Sequence, residues 1–355
     1  MPAGPGQIIW DVAIELADQK TVGPQVEKES TILITGAKEC GKSSILPMYL
    51  NQEELPKPTV ALDYAFAHVG ATNKMVKDIG HYWELGGGIW LVQLMEVVIK
   101  PETIQSLTLV IMVDLSKPTE IWVTIKSLLA AAKERIQAVV SQMKADKADI
   151  LEQLKKKARD RFGKDHKDRD IVEPFLIPLV IIGGKYDIFQ NSDPEHRKII
   201  CKTLRFLAHY HGATLQFFTI RDKSLGKRIE YLKNHHLFGN HYPKLHEVDH
   251  NKPLSVYVGH DSLQSIGHLT PGGQDSREMQ NKSLVENFEF VFTKYFPQEK
   301  SADPQTAADP SQEPQFKEHD IDILKRQKDQ ELEQRRQRPF NTREQTVEKI
   351  YIDDF

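Results

Sequence analysis

The stretch "ITGAKECGKSSI", Ile34 to Ile45, constrains this chain more than any other. Gly36, Gly41, Lys42 and Ser43 complete the pattern G-x-x-x-x-G-K-[ST], which is that of a nucleotide-phosphate loop. Glycines let the backbone approach phosphates closely, and successive N–H groups cradle them. In that reading Lys42 reaches the β- and γ-phosphates, Ser43 ligates Mg²⁺ through its hydroxyl, and Ser44 completes the cofactor-binding stretch. The β-branched run "STILITGA" before the loop predicts a strand, and the residues from Lys42 suit a helix. Strand, loop and helix in that order are the context the motif needs.

The rest of the chain repeats this alternation. Strands are predicted at 59–67, 79–88, 106–116, 178–187 and 212–220, and a shorter one at 253–259. "SLTLVIMVDLS" and "PLVIIGGKYD" are continuous apolar runs, as expected of central strands covered on both faces. From Pro118 the residues Ile121, Ile125, Leu128, Leu129, Ala132, Ile136, Val139, Val140 and Met143 form one apolar stripe, so a helix is predicted there. The stripe can be extended through Ile150, Leu151 and Leu154, which would make one very long helix. Further helices are predicted at 193–212, with a glycine stop, and at 276–296. The fold class is α/β: a mostly parallel sheet with helices on both faces, plus a C-terminal extension and a tail.

The expected organisation is a leader over 1–28 with a short helix around Ile8 to Ala17, a phosphate-loop domain over 29–245, an extension over 246–297 packed on that domain, and a tail over 298–355. The tail turns to Gln, Asp, Glu, Pro and Lys, a composition that favours disorder, and only 320–337 suits a helix, a charged one.

Charge and cysteine content exclude several classes. Among 355 residues, 47 Lys and Arg face 50 Asp and Glu, a formal net charge of −3. That balance gives no reason to expect nucleic acid or an anionic membrane as partner. Cys40 and Cys201 are too few for a disulfide framework and suit a reducing compartment. The first twenty residues carry no basic, apolar signal pattern, and Leu107 to Leu115 is too short to cross a bilayer. A soluble intracellular chain without direct membrane insertion is expected.

The parts of a nucleotide site downstream of the loop are altered. Thr59 lies about where a small GTPase places the threonine that meets Mg²⁺ and the γ-phosphate. "WELGGG" stands where D-x-x-G is expected, with Glu84 for the aspartate and Gly87 for the glycine. The next residue is Gly88, where Ras-type enzymes carry a glutamine that orients the attacking water. "GGKYD" resembles the guanine-reading N-K-x-D: Lys185 and Asp187 match, while Gly184 replaces the asparagine. Lys38 and Glu39 put bulk where small residues lie near the γ-phosphate. Binding of GTP or GDP, or of ATP or ADP, with Mg²⁺ held by Ser43 and Thr59, is compatible with this set, as is a nucleotide-free state. Hydrolysis is expected to be slow or absent, and no catalytic residue is assigned.

Other constellations are weaker. His235, His236, His241, His246 and His250 are irregularly spaced and are expected in a surface loop rather than at a metal. Neither G-x-S-x-G nor H-E-x-x-H occurs. Trp83 and Trp90 flank "ELGGGI" and are expected to pack in the core, with partner contact as the alternative.

Taken in order, "ILITGAKECGKSSI", "PKPTVALDYAFA", "KDIGHYWELGGG", "LVIMVDLSKP", "PLVIIGGKYDIFQ", "RKIICKTLRFLAHYHGATLQF" and "NKPLSVYVGHDSLQSIG" resemble the light intermediate chains of cytoplasmic dynein, and within them the dynein 2 type. The resemblance runs from about Ile32 into "RQKDQELEQRR", and the short tail favours the dynein 2 type. It implies a Ras-like domain that binds the dynein 2 heavy-chain tail; a sheet edge and the extension are expected to help in that grip. It also implies other dynein 2 subunits and intraflagellar transport particles as partners. The implied places are cytoplasm, cytoskeleton and cilium or flagellum, including axoneme and basal body. The implied role is non-catalytic, in retrograde intraflagellar transport and cilium assembly and length control. An active GTPase switch is the alternative from another class.

Overall fold

A computed structural model describes residues 29–45, 58–69, 78–143, 150–240, 242–243, 245–269, 283–299 and 318–337. Seven strands form one sheet in the order β2-β3-β1-β4-β5-β6-β7. They are β1 (Glu29–Gly36), β2 (Leu62–Val69), β3 (Asp78–Leu85), β4 (Leu107–Asp114), β5 (Leu179–Gly184), β6 (Thr214–Phe217) and β7 (Ser255–Val256). The centre is parallel, and antiparallel strands flank it: β2 on β3 at one edge and β7 on β6 at the other. All eight residues of β4 and all six of β5 are buried, as their uninterrupted apolar runs require of strands covered on both faces.

The longer helices among the described residues are α1 (Pro118–Met143), α2 (Ile150–Phe162), α3 (Pro194–Tyr210), α4 (Lys223–Phe238), α5 (Leu284–Tyr295) and α6 (His319–Gln337). On one face α1, α2, α3 and α5 bury their stripes against Leu109, Ile111, Val113 and Ile181. On the other face Ile229, Leu232 and Leu237 of α4 cover Ile32, Ile34, Val110 and Ile182. Asp193 caps α3, accepting from the N–H groups of Glu195 and His196, with Pro194 at the first helical position. Ser283 and Glu286 form a capping box on α5.

Several boundaries differ from expectation. The apolar stripe after Pro118 is carried by two helices, α1 and α2, and residues 144–149 between them lie outside the described ones. Helix α5 is described only from Leu284; residues 276–282 and the expected helix around Ile8 to Ala17 lie outside the described residues. Helix α4 was not anticipated, although Leu225, Ile229, Leu232 and Leu237 are spaced for one buried face. It carries His235 and His236, so these two histidines belong to a helix and not to a surface loop; His241 lies outside the described residues. Trp83 is half-buried against Tyr64, with ring centroids 4.7 Å apart, while Trp90 is exposed.

Among the described residues, those from Glu29 to Glu299 form one compact unit, and those of α6 belong to another. Within the first unit the extension adds β7 to the sheet and stacks Phe288 on Phe206, with centroids 3.8 Å apart. Arg205 reaches it from α3: its Nε and Nη2 donate to the two carboxylate oxygens of Asp261, each at 2.7 Å, and both side chains are buried. In the second unit α6 is solvent-exposed, including Ile321, Leu324 and Leu332. No helix of the described residues is long and apolar enough to cross a membrane.

Candidate functional site

The loop between β1 and the helix opening at Lys42 lies at the C-terminal end of the central strands, where open α/β sheets place ligands. Its backbone is strained at one non-glycine position, Glu39, with φ of 61°. Lys42 folds back over the loop, and its Nζ donates to the carbonyls of Gly36 at 3.2 Å and Ala37 at 2.7 Å. The side chain is buried, and among the described residues no carboxylate forms an ion pair with it. A buried ammonium held only by carbonyls is costly unless an anion completes it. The Ser44 N–H donates to the Gly41 carbonyl at 3.1 Å, closing the first helical turn.

Three oxygen-bearing side chains gather around Glu84: its own carboxylate, Ser43 and Thr59. Ser43 donates its hydroxyl to Glu84 Oε1 at 2.7 Å. Glu84 is buried at the end of β3, and its other oxygen, Oε2, has no hydrogen-bond partner; nor does the buried hydroxyl of Thr59. Burial pushes the Glu84 carboxyl up, while Ser43, Lys42 and the nearby Thr59 pull it back. The extra methylene of glutamate lets the carboxylate touch Ser43 directly. Hydroxyl and carboxylate oxygens, two of them orphaned, are the hard donor set that Mg²⁺ takes, so Ser43, Thr59 and Glu84 fit that ion. Cys40 in the same loop is buried and its thiol is pushed up to about 11, which keeps it from acting as a nucleophile.

Position 88 closes the loop's far side. Gly88 has a φ of +64°, and a Cβ there would meet the Lys38 backbone nitrogen at 3.6 Å. A side chain at 88 would therefore face the loop, as the water-orienting glutamine must, but its backbone lies in a region that a glutamine adopts only with strain.

The base-reading end is closed by the protein itself. Lys185 is left-handed, with φ of 58°, and its Nζ pairs with Asp114 Oδ2 at 2.7 Å. Asp114 also accepts from the N–H and hydroxyl of Ser116. Asp187 accepts the Thr219 hydroxyl at 2.7 Å and lies 3.3 Å from Arg221 Nε. Gly184 stands where an asparagine was expected because nothing larger fits: a Cβ would lie 2.4 Å from the Cys40 carbonyl oxygen of the loop. Asp114, Thr219 and Arg221 were missed in the sequence. Asp114 had a signal, since an acid ending an all-apolar strand must find a buried partner; Thr219 and Arg221 had none.

One further cluster has metal-ligand chemistry. His166, Asp168 and His209 bring their ligand atoms within 4.8 Å of one another. Each is engaged in bracing the extension. His209 Nε2 lies 2.8 Å from Asp168 Oδ2, which also accepts the Leu263 N–H; His166 Nε2 reaches the Asp261 carbonyl, and its Nδ1 accepts the Asp168 N–H. The network is a structural brace between the 163–172 segment, α3 and the extension.

A six-stranded core of order 2-3-1-4-5-6 with a phosphate loop after its first strand defines a Ras-like P-loop α/β protein, extended here by a seventh strand. The comparisons with known proteins agree. The conserved domain of a dynein light intermediate chain, solved by crystallography, superposes with a TM-score of 0.53 at 16% identity, covering 80% of this chain and 94% of that one. "Cytoplasmic dynein 2 light intermediate chain 1" of Mus musculus is 37% identical over 93% of this chain and 95% of its own length. The Bos taurus and Homo sapiens proteins of the same name are 38% and 36% identical with the same coverage. No family model matches the chain. The chain belongs to the cytoplasmic dynein 2 light intermediate chain family.

Proposed function

We propose that this chain is a non-catalytic accessory subunit of the cytoplasmic dynein 2 motor. In this reading it binds the heavy-chain tail, works with other dynein 2 subunits and intraflagellar transport particles, and supports retrograde intraflagellar transport and cilium assembly and length control. Its places are then the cytoplasm and the cilium, with axoneme and basal body. The observation that carries the non-catalytic part is the pairing of an intact phosphate cradle with Gly88, which has no side chain to orient a water.

A nucleotide, where bound, would lie with its phosphates on Gly36, Gly41, Lys42, Ser43 and Ser44, and its Mg²⁺ on Ser43 and Thr59. Bound Mg²⁺ would neutralise phosphate charge. Lys185 and Asp187 would face the base only by giving up their present partners. The site then acts as a static support for the fold. The test is to denature the purified protein, identify any released nucleotide, and measure multi-turnover GTPase and ATPase rates. Robust turnover that disappears in Lys42→Ala would overturn this reading and favour a GTPase switch, which the orphaned Thr59 hydroxyl supports.

For the heavy chain we assign β2, the edge strand among the described residues, where Tyr64 and Phe66 are 45% and 54% exposed, together with the extension. Deleting residues 298–355 should leave heavy-chain binding unchanged, and Tyr64→Ser with Phe66→Ser should weaken it at least tenfold. Loss of binding in the deletion would move the grip to the tail.

A further inference from the structure

The brace beneath the extension matches its charges but not all of its nitrogens. Arg205 pairs with Asp261, and His209 Nε2 lies 2.8 Å from Asp168 Oδ2. His209 is buried, and its Nδ1 has no hydrogen-bond partner among the described residues. Around this imidazole His166, Asp168 and His209 bring a nitrogen, a carboxylate oxygen and a second nitrogen within 4.8 Å of one another.

We infer that this cluster is a binding site for one zinc ion, with His166, Asp168 and His209 as ligands and a water in the fourth position. Two imidazoles and a carboxylate are a donor set that zinc takes in open sites. The outer contacts are those of metal ligands. His166 donates its Nε2–H to the Asp261 carbonyl at 2.8 Å, which leaves Nδ1 as its ligand atom. Asp168 Oδ2 accepts the Leu263 N–H at 2.8 Å. The Phe162 ring backs both imidazoles, with centroids 4.6 Å from His166 and 5.2 Å from His209. His166 and Asp168 are only half-buried, so an ion and its water reach the cluster from solvent.

Binding exchanges hydrogen bonds for metal bonds. The ion takes the place of the proton that His209 Nε2 shares with Asp168. The imidazole then keeps its proton on Nδ1, where no existing bond has to break to receive it. His166 Nδ1 gives up the Asp168 N–H, which it accepts at 3.1 Å in the metal-free protein. Zinc held about 2.0–2.1 Å from each ligand sets the ligand atoms roughly 3.3 Å apart, so the cluster closes by roughly 1.5 Å or less. His166 and Asp168 follow α2, His209 belongs to α3, and the outer partners Asp261 and Leu263 belong to the extension. One ion therefore fastens three stretches of chain at a single point. The chain folds without it, since the charges are already matched, and the ion adds a clasp.

The test uses the full chain, stripped with a chelator and dialysed against Zn²⁺ alone. One zinc per chain should bind at micromolar free metal and raise the melting temperature by several degrees. His166→Gln and Asp168→Asn, both at half-buried positions, should each weaken binding more than tenfold. His250→Ala, on the turn before β7, should bind as the unaltered chain does. Co²⁺ in place of zinc should give the visible absorption of a four-coordinate site, lost in His166→Gln and Asp168→Asn. In the unaltered chain Zn²⁺ should slow modification of His166 by diethyl pyrocarbonate at least tenfold and leave His250 unchanged; this readout needs no variant to fold. Absence of binding at micromolar Zn²⁺, binding that survives both substitutions, or a His166 that zinc leaves unprotected would each overturn the inference.

Discussion

The phosphate end of the site and the brace beneath the extension both bury charged groups, and they treat them in opposite ways. In the brace, Arg205 and Asp261 meet through two hydrogen bonds and Asp168 is held by His209 and a backbone N–H, so the charged groups are matched even though His209 Nδ1 has no partner. At the phosphate end, Lys42 rests on carbonyls alone, and Thr59 Oγ1 and Glu84 Oε2 have no partner. Closed polar networks fix a fold; open ones are completed by something that binds. The base-reading end, with Lys185 on Asp114 and Asp187 on Thr219, belongs with the closed kind. The phosphate-loop motif thus leaves polar groups open, while Lys185 and Asp187 of the N-K-x-D-like stretch serve as internal structure.

The largest effect should come from opening a closed network. Asp261→Ala strands the buried Arg205 guanidinium and should cost about 3–5 kcal/mol, read as a lowered midpoint in urea. A loss under about 1 kcal/mol would show that the brace is ornamental. Lys42→Ala should do the reverse. It removes a buried charge without an ion-pair partner, so the free protein should keep its stability. The rise produced by Mg²⁺-nucleotide, about 2.7 kcal/mol at a hundredfold excess over Kd, should vanish. Thermal melts with and without nucleotide decide between these.

Gly184→Asn tests whether the base end can be reopened. The new side chain drives into the Cys40 carbonyl, so a loss of about 1–3 kcal/mol is expected, with no gain in guanine preference. Guanine selectivity without that loss would contradict the packing described.

Acid should act through two buried histidines outside both networks. Burial holds His211 at about 4 and His236 at about 3, both below the ordinary value of 6.5. Below pH 6.5 the unfolded chain takes up these protons and the folded one resists. Stability is therefore full above pH 6.5 and falls as pH drops towards 4, by up to about 1.4 kcal/mol per pH unit for each histidine. His211→Gln should flatten the pH dependence of the melting temperature by close to one proton. The smallest effect belongs to Arg221→Ala. Arg221 is largely exposed, so its ion pair with Asp187 contributes no more than about 1 kcal/mol, and the readout is a shift in base preference.

Much of this was legible in the chain. Unbroken apolar runs gave the central strands, because a strand covered on both faces has no polar side to display. The loop motif placed Lys42 and Ser43 because its glycines and lysine act through local backbone geometry. What escaped depends on residues far apart. That Glu84 reaches Ser43, forty-one positions away, follows from β3 lying beside β1. Asp187 finds Thr219 only once β5 and β6 are paired. Helix α4 was overlooked because its polar face is rich in histidine and lysine, which hid a regular buried stripe.

Gly184 carries a consequence for the history of such a site. A guanine reader that has lost its asparagine can in principle regain it by one substitution. Here the loop carbonyl of Cys40 occupies the space that a Cβ at 184 would need. An asparagine at 184 would require the loop to retreat and β5 to shift together, so a single substitution there is barred by one carbonyl oxygen.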